Sequence, residues 1–123
     1  MDRKTTKIKT PISGQEVEIN EWLTGAEAEY VDQPVAEAFA EARMKILMDK
    51  PVDMKNSSAV DNRRTIEKFV VSIDGTKENI LDRTSSWNEV DYMFVVNQCN
   101  AIREDFKKKA VMSTVSISPK SAS

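Results

Sequence analysis

Histidine is missing altogether from the 123 residues of this chain. That removes the commonest general base near neutrality and the commonest metal ligand. Neither a Ser-His-Asp nor a Cys-His arrangement can be assembled. Cysteine occurs once, as Cys99, which excludes an internal disulfide and a closed zinc site and leads to the expectation of a reducing compartment. Glycine occurs three times, as Gly14, Gly25 and Gly75. That is too sparse for a G-x-G-x-x-G or P-loop phosphate cradle. No apolar run approaches the ~20 residues that span a bilayer, so no membrane span is expected. The basic start has no apolar stretch behind it and lacks the form of a secretory leader. A soluble cytoplasmic protein is expected, with no cofactor, no metal and no catalytic activity.

What is present is charge, unevenly placed. Apolar residues make up 40% and charged residues 31%, enough for a modest core under a well-solvated surface. The length suits a single domain. The net charge of −2 does not favour nucleic acid as a partner. Residues 11–42 carry eight acids and no base, whereas Arg3, Lys4, Lys7 and Lys9 crowd the start and Lys107–Lys109 the end. Acids and bases segregated in this way form either a solvated acidic face with basic ends or an acidic docking surface for a basic partner.

The hydrophobic spacing predicts a mainly α fold with a short N-terminal β-hairpin, an α+β single domain with a helical body. Pro11-Ile12-Ser13-Gly14 has turn composition. Val17 and Ile19 alternate with Glu16, Glu18 and Asn20, the period of a half-buried strand. A hairpin is therefore expected over residues 5–20. Thr24 and Glu27 have the spacing of a capping box. Because proline fits a first turn and breaks a helix interior, Pro34 divides the next region into helices over 24–32 and 34–48. In the second, Val35, Ala38, Phe39, Ala42 and Ile46 form one stripe, read as core, which Met44, Leu47 and Met48 widen. Residues 51–58 read as a linker loop. Residues 59–73 fit a helix, although "KFVVSI" also suits a buried strand. Residues 76–85 form a connector. Ser86 and Glu89 make a second capping box, opening a helix to about Lys108 on which Trp87 and Phe94 should be buried and faced by Phe69. The body is assigned to residues 1–109, and the serine-rich residues 110–123 to a disordered tail.

With chemistry largely excluded, interaction features remain. Carboxylate pairs such as Glu37 and Glu41 are better read as solvated surface than as acid–base machinery. Cys99 reads as a small buried hydrophobe. The basic clusters are not interleaved with aromatics as single-strand binding favours. Met44, Met48 and Met54 lie close together among six methionines, and methionine suits surfaces that accept apolar partners. The candidate partner-binding residues are Glu37, Glu41, Met44, Leu47 and Met48.

The order of these features resembles a known family. "IKTPISGQEVEINEWLTGAEAEYV", then "RRTIEKFVVSIDG", "ENILDR" and "WNEVDYMFVVNQCNAI" are similar to the successive segments of small tail assembly chaperones of long-tailed bacteriophages. The likeness covers about residues 7–105 and lies in element order and short phrases rather than in a catalytic motif. It implies a non-catalytic protein of the host cytoplasm that binds the tape measure protein and helps recruit tail tube subunits. It also implies absence from the mature virion, and in many family members a longer form made by frameshifting. The alternative is a small structural tail or neck protein retained in the virion. A small nucleic-acid-binding regulator built on the basic ends is a third class, disfavoured by the acidic middle.

Overall fold

The structure, a computed structural model, describes residues 3–51 and 57–122. Its elements are β1 (Thr5–Lys9), β2 (Glu16–Asn20), α1 (Gly25–Leu47), α2 (Ser57–Phe69), β3 (Val70–Ile73), α3 (Ile80–Ser85) and α4 (Glu89–Ala122). The expected class holds: a mainly helical α+β domain with an N-terminal hairpin. The strands form one antiparallel sheet in the order β1-β2-β3.

The hairpin pairs Ile8 with Val17 and Thr6 with Ile19. Its loop folds on Thr10, whose carbonyl accepts from the Gly14 N–H at 3.1 Å and whose hydroxyl accepts from the Gln15 N–H at 2.9 Å. Gly14 sits at φ +67°, the left-handed region where the missing Cβ costs nothing.

The third strand was only half legible. Over residues 59–73 the chain is helical to Phe69 and extended from Val70. α2 ends without a glycine cap; instead the Asn20 amide on β2 donates to the Lys68 carbonyl at 3.1 Å. Val70 and Ile73 are three residues apart, so in a regular strand they would face opposite sides. Here Ile73 pairs with Val17, Ser72 with Glu18 and Val70 with Ile19, leaving Val71 as a bulge. The extra residue restores parity and puts both apolar side chains on the core face. Asp74 (φ 51°) and Gly75 (φ 81°) then turn the chain, and Asp74 bonds the β2 end through both its N–H to the Glu16 carbonyl and its carboxylate to the Glu16 N–H.

α2 and the first half of α4 cover one side of this sheet. The core comprises Val17, Ile19, Ile66, Phe69, Val70, Ile73, Val95, Val96 and Cys99, with Ile8, Leu23, Trp87 and Ile102 packed against it. Phe69, expected to face the last helix, is fully buried in this core. Trp87 and Phe94, expected buried, are only half-buried. The inward stripe of α4 is Val95, Val96 and Cys99, and the helix begins later than expected. Its N-cap is Asn88, whose side-chain oxygen accepts from the Asp91 N–H at 2.9 Å, whereas Ser86 donates to the Arg83 carbonyl. The Ser86 capping box is therefore not formed. At its other end α4 runs on through Ala122, so the expected stop near Lys108 does not occur. No glycine lies beyond Gly75 to end the helix.

Asp91 explains the hairpin loop. Fully buried at the start of α4, its carboxylate accepts from the Ile12 N–H (2.9 Å), the Ser13 N–H (3.0 Å), the Ser13 hydroxyl (2.6 Å) and the Asn88 amide (2.9 Å). Burial works against its charge, but these donors prevail and hold its pKa at about 2. The loop thus clamps the hairpin to the helix that carries the other half of the core.

Candidate partner-binding surface

α1 starts as its sequence requires. Thr24 and Glu27 form the capping box, with the Glu27 N–H on the Thr24 hydroxyl at 3.2 Å and the Thr24 N–H on the Glu27 carboxylate at 2.9 Å. The same carboxylate holds Arg3 at 2.6 Å, and Arg3 also lies over the Trp22 ring. Burial raises the Glu27 pKa; Arg3 and Thr24 outweigh it and leave it below the ordinary value. The acidic first turn is therefore tied to the basic N-terminus.

α1 does not divide at Pro34: one helix runs from Gly25 to Leu47. An interior proline deprives the carbonyl four residues earlier of its N–H donor. Here that carbonyl belongs to Tyr30, and Arg64 of α2 supplies the missing donor at 2.9 Å. Arg64 also donates to Gln33 and stacks over the Tyr30 ring at 4.3 Å. A side chain from the neighbouring helix thus replaces the lost backbone bond, and the helix continues. One turn away Arg103 of α4 forks onto Asp32 with two 2.8 Å bonds, holding that carboxyl below its usual range. Asp61 beside them is pushed up, first by burial and then by Asp32.

Beyond Pro34 the anchoring thins out. Ala42 is the one buried residue in this half of α1, joining Val31 of the first half. The stripe read as core is mostly not core: Val35 and Ala38 are half-buried, while Phe39 is 59% and Ile46 69% exposed. Met44 (57%), Leu47 (77%) and Met48 (55%) are exposed as well. Apolar side chains on this half occupy more of the helix circumference than α2 can cover. The helix ends with Asp49 in the left-handed region (φ 57°), two residues before Pro51.

The five sequence-selected residues come together on this half. Glu37, Glu41, Met44 and Met48 follow one another by four, three and four residues and share a helical stripe, with Leu47 beside it. Glu37 accepts from Gln33 at 2.7 Å, and Glu41 pairs with Lys45 at 3.0 Å. Both bonds are exposed and in-helix, so they exchange readily with a partner's groups. Met54 lies outside the described residues. Phe39 and Ile46 extend the exposed apolar surface around the helix; the spacing that assigned them to the core was misleading because it could not say whether a partner element was available.

A second feature was not found from sequence. Lys4, Glu21, Trp22, Ile102, Asp105, Phe106, Lys109 and Ala110 line a groove of about 450 Å³. Trp22 and Phe106 stack across its floor at 6.3 Å. These residues are far apart in the chain, and no local pattern joins them.

Cys99 is fully buried, and burial pushes its thiol up to about 12, so it stays protonated. Among the described residues no group of acids and cysteine is placed to hold a metal ion, and no helix is long and apolar enough to cross a membrane. On the hairpin, Glu18 accepts from Thr5 at 2.8 Å and Glu16 lies 3.6 Å from Lys7. No family model, no curated protein and no solved structure matches the chain.

Proposed function

We propose that the protein is a tail assembly chaperone of a long-tailed bacteriophage. It binds the tape measure protein, masks the apolar stripes of that helical chain until assembly, and helps recruit tail tube subunits. It acts without catalysis in the host cytoplasm and is absent from the mature virion. The observation that carries this reading is the exposed apolar half of α1, with Met44, Leu47 and Met48 beside Glu37 and Glu41. An amphipathic helix laid against such a face buries its own apolar stripe. Methionines adapt to the varied side chains that a long partner presents. Acids at the rim orient a basic-flanked helix and speed its association. The resemblance over about residues 7–105 supplies the identity of the partner.

Co-expression with the tape measure protein tests this. The wild-type chain should co-purify with it, and Met44→Glu combined with Met48→Glu should not, with an unchanged circular dichroism spectrum. Undiminished co-purification of the folded double variant would place the contact elsewhere, with the Glu16 and Glu18 side of the hairpin next to be tried. Mass spectrometry of purified virions addresses the other half of the reading: finding the protein there would mark it as a structural tail or neck component.

A further inference from the structure

We propose that the outer edge of β1 takes up an extended acidic segment of another protein as a fourth strand of the sheet. β1 ends the strand order β1-β2-β3, and among the described residues it packs chiefly against β2. The ladder shows which of its backbone groups are spare. The Glu21 N–H donates to the Lys4 carbonyl and the Thr10 N–H to the Gln15 carbonyl, each at 3.0 Å. Between these two pairs the register is unbroken, from Thr5 opposite Asn20 to Lys9 opposite Glu16. Bonded pairs alternate with unbonded ones in an antiparallel ladder, so Thr6 and Ile8 bond to β2. Thr5, Lys7 and Lys9 therefore turn their N–H and C=O groups to the open edge, where a further strand can pair with them.

Charge and side-chain alternation select the occupant. Residues 3–10 carry four bases and no acid. The exposed Lys7 and Lys9 stand on the solvent face of the edge strand, while Ile8 turns inward and packs against the core. β2 already shows the kind of strand that suits β1. Glu16 lies 3.6 Å from Lys7 and Glu18 accepts from Thr5, with Val17 and Ile19 fully buried on the inner face. The open edge presents the same side chains to its other neighbour. A strand there would lie about 4.8 Å from β1 and about twice that from β2, so the lysines are nearer to it than Glu16 and Glu18. Acids at alternate positions would meet Lys7 and Lys9, and apolar residues between them would cover the part of Ile8 that the fold leaves exposed. A second copy of β1 does not fit, because Lys7 would face Lys7 in the fully paired register; lysine on an edge strand guards against such pairing. Neither the edge nor its occupant depends on the partner proposed for α1.

The experiment is fluorescence anisotropy of a labelled peptide with the sequence of residues 14–21, titrated with the purified full chain. Saturable binding is expected at low salt and weaker binding at high salt, because exposed charges are screened. Lys7→Glu with Lys9→Glu should lose this peptide and gain its counterpart carrying Glu16→Lys, Glu18→Lys and Glu21→Lys; that gain shows that the variant is folded. N-methylation of the peptide separates strand pairing from charge alone. Methyl groups on one alternating set of peptide nitrogens should abolish binding, and on the other set should leave it little changed, because only one set faces β1. Failure of the wild-type chain to bind the acidic peptide would overturn the proposal. Equal binding of the two methylated peptides would show a charge contact without strand pairing and would overturn it too. Binding unaffected by the lysine reversals would put the peptide elsewhere, with the same consequence. Loss of the protein's near-ultraviolet tryptophan signal on binding would show that the peptide displaces β2 rather than adding to the open edge, and would equally overturn it.

Discussion

Phe69 and Phe39 are the same residue on adjacent, packed helices, yet one has no exposed surface and the other is mostly exposed. The region around Phe69 is enclosed: β2, β3, α2 and α4 each contribute to one apolar cluster. Among the described residues, the region around Phe39 packs chiefly against α2, and Phe39 itself stays mostly exposed. Both segments have apolar residues at helical spacing. What separates them is how much of the helix perimeter is apolar and how many elements are available to cover it. On α4 the inward residues Val95, Val96 and Cys99 alternate with Asn97, Gln98 and Asn100; on late α1, apolar residues lie on several sides.

The largest expected effect breaks this contrast directly. Phe69→Ala should cost about 3–5 kcal/mol in urea unfolding, the usual range for truncating a buried aromatic. Phe39→Ala should stay within about 0.5 kcal/mol, as exposed substitutions do. Equal costs would mean that late α1 is covered in solution.

Asp91→Asn should come next, because it removes the charge on which four donors converge. Its folded pKa of about 2 lies below the ordinary 3.8. The stabilisation is therefore fully present above pH 4 and is lost as pH falls through 2. Unfolding followed against pH should show the wild-type advantage over Asp91→Asn shrinking across that window. A gap that stays constant with pH would mean that geometry, not charge, holds the loop.

Arg64→Met keeps most of the stem and removes the donor to the Tyr30 carbonyl. A loss of about 1–2 kcal/mol is expected from the deleted charge-assisted bond. Hydrogen exchange should quicken around Pro34 while the α4 core is unaffected. The paired substitution Met44→Glu and Met48→Glu should change stability by about 0.5 kcal/mol or less; a large loss would show those side chains to be buried after all. Smallest of all, Glu37→Gln with Glu41→Gln should leave stability unchanged and weaken partner binding chiefly at low salt.

How much of this was legible beforehand depended on the range of the interaction. The hairpin and the Thr24 capping box were read correctly, since the residues that make them lie within a few positions of one another. The end of α2 was ambiguous because "KFVVSI" suits either state, and β2 decides it by pairing with Val70–Ile73. Pro34 was misread because its remedy, Arg64, lies 30 residues away. The cap of α4 was placed two residues early: Ser86 has the right spacing, but Asn88 is the residue that Asp91 holds. The candidate surface was selected for a mixed reason. Its methionines and acids stood out by composition, while Phe39 and Ile46 beside them were assigned to the wrong environment.

What the sequence determined by itself was local. Alternation made β2 a strand, Thr24 and Glu27 started α1, and Gly14 and Gly75 supplied the turns, all through torsion preferences and bonds between near neighbours. The absence of histidine and the single cysteine likewise excluded whole classes of chemistry without any structure. Only the tertiary structure decided that a helix survives its proline, that Asp91 clamps a loop far away in the chain, and that late α1 is left open. Each of these is a question of supply: whether another part of the chain arrives to satisfy a carbonyl, a buried charge or an apolar face. Nothing in a helix's own sequence states how much of its surface the rest of the fold can cover.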